Sequence, residues 1–148
     1  MRLSRIKTPA LILAVLALTS CNQEKVVSTY HPAKLDSTAV AGIMRVTLDA
    51  RAAERIGLMT TEIREEQMTV DGASGKHRVM PYGALMYDTK GKTWTFTRTG
   101  PLSFERREVV VANIVGDQVI LADGPPAGTA IVNVGAAELM GAEHKYGH

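Results

Sequence analysis

The segment Thr93-Trp94-Thr95-Phe96-Thr97-Arg98 constrains the fold more than any other part of this 148-residue chain. Wound as a helix, Trp94 and Phe96 would point to opposite sides; as a strand they share one face and the threonines share the other. Aromatic and β-branched residues in strict alternation are what a half-buried strand selects. Asp88-Thr89-Lys90-Gly91, just before it, is turn-forming, so residues 84–87 and 93–98 read as a hairpin.

The same signals recur around it. Residues 43–48 alternate as a strand, Asp49 caps a short helix through Ile56, and Gly57 ends it ahead of a strand over 58–63. After the charged stretch 64–67 comes a strand over 68–70 and a turn over 71–75. Residues 104–114 read as one long strand, turned at Gly116-Asp117 into a strand over 118–122. A loop over 123–128, a strand over 129–134 and a helical turn over 136–140 complete the pattern. The expected fold is mainly β, a small antiparallel barrel or sandwich with one short helix over residues 43–143, and residues 144–148 form a polar tail.

The N-terminal residues predict an export signal. Arg2, Arg5 and Lys7 precede an apolar run over 10–18, far shorter than the roughly 20 residues that cross a bilayer. Leu18-Thr19-Ser20-Cys21 resembles the lipobox of bacterial lipoproteins, in which the cysteine sulfur takes a diacylglycerol before the signal is removed. Cys21 is the single cysteine, so it has no partner for a disulfide. Residues 1–20 are therefore expected to be a leader, Cys21 the lipidated first residue, and 21–42 a flexible tether to a periplasm-facing domain in the cell envelope. Asn22 is not the aspartate associated with inner-membrane retention, which leaves inner and outer membrane both open.

Without its leader the chain is close to neutral. The leader holds three of the 17 basic residues and none of the 15 acids, leaving 14 against 15. A neutral, interspersed surface has no electrostatic footprint for nucleic acid. No nucleophile elbow, phosphate-cradling glycine loop or catalytic dyad stands out, so a non-enzymatic protein is expected.

Two sets of residues stay as candidate sites. His31, His77, His144 and His148, with Met44, Met59, Met68, Met80, Met86 and Met140, include copper and zinc ligand types. Methionine also fills cores, and Gly147 disfavours a helix aligning the last two histidines. His144 and His148 are the metal pair this leaves. The run Glu105-Arg106-Arg107-Glu108 beside Phe104 is either a solvated strand face with cross-strand pairs or a protein-contact edge made by Phe104, Arg106, Arg107 and Glu108.

Several linked features resemble periplasmic adaptor subunits, the HlyD-like membrane fusion proteins of resistance-nodulation-division efflux systems. They are Met80-Pro81-Tyr82-Gly83-Ala84-Leu85, then Thr93-Trp94, Pro101-Leu102-Ser103-Phe104, and Gly124-Pro125-Pro126-Ala127-Gly128-Thr129 ahead of Val132, Val134 and Gly135. Val46-Thr47-Leu48 and Ala52-Ala53-Glu54-Arg55-Ile56-Gly57-Leu58 are similar to the opening of the family's ordered part. In the family a lipoyl-like domain, a helical hairpin and most of a β-barrel lie between these stretches. Only about 16 residues separate Ile63 from Met80 here, which cannot hold them. The resemblance implies a shortened form keeping mainly the membrane-proximal domain, built from both chain ends. Its expected partner is a resistance-nodulation-division pump or a full-length adaptor. The alternative is an envelope lipoprotein that binds copper or zinc. No cofactor is expected beyond the covalent lipid and that metal ion.

Overall fold

Turn-forming residues recur at short intervals, and nearly every one ends a strand. The computed structural model describes residues 30–70 and 72–146. In chain order its elements are β1 (Ala33–Ser37), β2 (Met44–Leu48), α1 (Ala50–Arg55), β3 (Met59–Glu62), β4 (Arg64–Val70) and β5 (Ala73–Pro81). A single 3-10 turn (Tyr82–Ala84) leads to β6 (Met86–Tyr87), β7 (Thr93–Gly100), β8 (Ser103–Glu108), β9 (Val110–Val115), β10 (Gln118–Asp123), β11 (Ala130–Val134) and α2 (Ala136–Tyr146). The first sheet runs β1-β2-β8-β7-β11-β3, with β6 on β7, and the second runs β4-β5-β10-β9. Every registered pair is antiparallel.

The period-two alternation of the first sheet lets it serve two cores. On β11, Val132 joins Val46, Phe96 and Phe104 in a core shared with Ala53 of α1 and Leu139 of α2. Its neighbour Ile131 joins Met80, Val119 and Leu121 from the second sheet. The chain passes from the first sheet to the second at two corners, Ile63 from β3 to β4 and Val109 from β8 to β9, each 1% exposed.

The Val109 corner corrects the single long strand expected over 104–114. Val109 N–H donates to the Thr93 carbonyl at 3.0 Å, and Thr93 Oγ1 donates to the Val109 carbonyl at 2.6 Å. These bonds hold Val109 on β7 while the following residues join β10. Gly124, at φ +145°, lies against it, and a Cβ there would stand 3.1 Å from Val109 Cγ1.

The tether expected over 21–42 is also corrected, because β1 occupies Ala33–Ser37 and pairs with β2 along its whole length. The signal is faint: Ala33 and Leu35 pack against the helix-side core, but Lys34 and Asp36 between them form an ion pair. At the other end, α2 runs through Tyr146, where a helical turn and a polar tail from 144 are expected. Contact of α2 with β1, β2 and β7 overrides the low helix propensity of Gly141. The cap at α1 agrees with the sequence: Asp49 accepts from Arg51 N at 2.9 Å, and Gly57 follows at φ +61°.

Gly135 links β11 to α2 at φ +93°, and a Cβ there would sit 3.0 Å from Leu58 Cδ1 and 3.2 Å from Ile56 Cδ1. Gly135→Ala is expected to lower stability by about 1–3 kcal/mol in urea unfolding. Gly141→Ala, with open space around its Cβ in α2, is expected to raise it by about 0.5–1 kcal/mol.

Candidate functional site

Strand alternation sorts the charged run of β8 onto two faces. Glu105, 5% exposed, accepts from Arg45 Nε at 2.7 Å, and Arg107 Nη2 lies 3.1 Å from its other oxygen. On the opposite face, Glu108 pairs with Lys92 Nζ at 3.1 Å. Arg106 turns inward, its side chain only 12% exposed.

Arg106 knots five parts of the chain together. Its guanidinium carbon lies 4.6 Å from the centroid of the Trp94 ring, a cation-π stack joining β8 to β7. Its Nε donates to Glu143 Oε1 on α2 at 2.9 Å, and its Nη2 donates to the Gly42 carbonyl in the β1–β2 loop at 2.7 Å. Glu143 Oε1 also accepts from Met44 N on β2 at 3.0 Å. Glu143 Oε2 is buried and has no hydrogen-bond partner in the protein.

The turn before β7 holds the other side of Trp94. Asp88 Oδ1 accepts from Lys90 N at 2.8 Å and Lys92 N at 2.9 Å, and Oδ2 accepts from Trp94 Nε1 at 3.1 Å. Desolvation pushes the Asp88 carboxyl up, but the bonds from Lys92, Trp94 and Lys90 outweigh it and hold it below the ordinary 3.8. A folded-state pKa below the unfolded one adds stability above the unfolded value and loses it as pH falls through the folded one. Acid titration should therefore weaken the turn only below about pH 4. In Asp88→Asn that part of the pH dependence should vanish when urea midpoints are compared between pH 6 and pH 3.

Two clefts flank this knot. One, of about 630 Å³, lies between the β1–β2 loop and the 88–92 turn and reaches Trp94, Arg106, Glu108 and His144. The second, of about 500 Å³, lies between Thr97, Arg107 and Glu108 on the first sheet and the Gly124-Pro125-Pro126 loop. Arg78 holds that loop, donating from Nη1 to the carbonyls of Gly124 and Pro125.

The residues assigned from sequence to a contact edge separate. Phe104 is wholly buried in the helix-side core, and β8 lies inside its sheet between β2 and β7, so it is not an edge. Arg106 is internal for the reason given. Arg107 and Glu108 remain, about half exposed and lining the second cleft. His144 is exposed on α2, its Nδ1 2.8 Å from the Met140 carbonyl. His148 and Cys21 lie outside the described residues. Among the described residues, no three His, Cys, Asp or Glu side chains gather where they could hold a metal ion. Nor is any helix among them long and apolar enough to cross a membrane. The sequence alone marks neither Asp88 nor Glu143: a turn aspartate looks ordinary, and nothing local makes Glu143 the partner of a residue 37 positions earlier.

No protein-family model matches the chain, and no curated protein matches it. Among solved structures it is similar to an NMR structure of 180 residues of SilB from Cupriavidus metallidurans CH34, encompassing the N-terminal metal-binding site and the membrane proximal domain. The identity is 25% and the TM-score 0.43, with 57% of this chain and 44% of that chain covered. The match thus spans less than half of that chain's length.

Proposed function

We propose that this chain is a lipid-anchored, non-enzymatic accessory component of an envelope efflux complex, adaptor-like and acting through protein contacts. The observation that carries the reading is the way the two chain ends meet. Val46 of β2 pairs with Phe104 of β8, and Thr61 of β3 pairs with Ile131 of β11, so the first sheet is woven from both ends. That is the arrangement implied for a membrane-proximal domain by the resemblance of residues 46–58 and 79–143 to such adaptors. Where the family makes its long excursion, this chain makes the β4–β5 hairpin. The partner is a resistance-nodulation-division pump or a full-length adaptor, and the contact surface is the cleft beside Arg107 and Glu108.

A photo-crosslinking amino acid at position 107 in intact cells tests that surface. The expected adduct is with a pump or adaptor subunit, while the same probe at the buried position 104 yields none. Adducts from position 107 confined to proteins outside transport complexes would sink the reading.

A further inference from the structure

The β4–β5 hairpin outruns the sheet it belongs to. Leu121 opposite Arg78 is the last pair between β10 and β5, and beyond it Asp123 pairs with Val110 of β9 instead. The register of β4 on β5 nevertheless continues through Glu66↔His77, Gln67↔Lys76, Met68↔Gly75, Thr69↔Ser74 and Val70↔Ala73. Among the described residues, Ala73 to His77 are therefore paired on the β4 side only, and β4 packs substantially against β5 alone. A bare two-stranded ribbon is marginal in water, and three or more strands with an apolar face are needed for stability.

The ribbon is built to acquire them. Glu66, Met68, Val70, Gly75 and His77 share a half-buried face with Ala73, while Gln67, Thr69, Ser74 and Lys76 are exposed on the other. The outer rim of β4 carries Arg64, Glu65 and Glu66, charges of the kind that guard an edge against pairing. The free rim of β5 carries one charge, Lys76.

We propose that two copies of this chain associate through this rim, β5 against β5, antiparallel about a two-fold axis at Gly75. Because paired residues share a face, this register sets Ala73 of each copy opposite His77 of the other, Ser74 opposite Lys76, and Gly75 opposite Gly75. A small side chain meets a longer one at each unlike pair, and no like charges face each other. The product is a four-stranded sheet, β4-β5-β5-β4, with Met68 flanking the paired glycines on one face and polar residues covering the other. The proposal is independent of the efflux reading.

Sedimentation equilibrium of the full chain in detergent tests it. So short an interface sits at the weak end of specific contacts, so a dimer is expected at about 100 µM that dissociates on dilution. A Cβ at residue 75 meets only His77 Nε2, at 3.5 Å, so the hairpin accommodates a side chain there. Gly75→Lys, which opposes two ammonium groups at the axis, is expected to weaken the dimer at least 100-fold while circular dichroism stays unchanged. Arg64→Ala, at an exposed residue of β4 whose ion pair is with Glu66 of its own strand, leaves the dimer intact. A wild-type chain that stays monomeric at about 100 µM overturns the proposal. So does a dimer that survives Gly75→Lys, or one that Arg64→Ala abolishes.

Discussion

Arg106→Ala is expected to destabilise the protein by about 3–5 kcal/mol, the cost of leaving one half of a buried ion pair without its partner. The side chains of Arg106 and Glu143 are 12% and 3% exposed, so neither recovers much hydration when the other is removed. Losing Arg106 also removes the stack on Trp94 and the bond to Gly42. Arg106→Lys keeps the charge but lacks the planar fork that makes both hydrogen bonds and the stack, so it recovers only part of the loss. Glu143→Ala alone should cost a similar amount, and the double variant less than the sum, because the two act as one unit. Urea unfolding of the wild type and the four variants reads this directly. A cost for Arg106→Ala below about 1 kcal/mol would place the pair with ordinary surface ion pairs.

The second large effect is expected at Cys21, in an all-or-none readout. If its sulfur receives the lipid before the leader is removed, Cys21→Ser blocks both steps. Labelled palmitate then enters the wild-type chain and not the variant, and the form shorter by the 20-residue leader disappears. Equal labelling of the two would remove the anchor from the account. Gel separation of labelled membranes measures both outcomes at once, and density fractionation of the same membranes assigns the wild type to the inner or outer one.

Local chemistry explains which parts of this fold were legible. Trp94 and Phe96 two apart, Asp49 ahead of an alanine-rich helix, and Gly116 before Asp117 each impose a conformation through their immediate neighbours. The corner at Val109 does not, because a strand that changes sheets keeps its alternation and its β-branched residues. What bends it is Thr93 and Gly124, which only the fold brings near. Strand β1 was hidden by its shortness and by its charged Lys34 and Asp36. Helix α2 outruns the expected turn because Gly147 argues against a helix locally, while the contacts that hold it lie on β1, β2 and β7. The candidate site divides in the same way. The tetrad at 105–108 announced charge at once, but its pairing with Arg45, Lys92 and Glu143 depends on strand order, and so does the burial that takes Phe104 and Arg106 out of any contact surface.

The proposed role of this chain is membership of an efflux assembly. It is tested most directly by mild crosslinking of cells carrying the full chain with a C-terminal affinity tag, detergent extraction, and mass spectrometry of what co-purifies. A resistance-nodulation-division pump or full-length adaptor subunit is expected, recovered in near-stoichiometric amount. Recovery of the chain with no transporter or adaptor subunit, from membranes in which such a system is present, would contradict it.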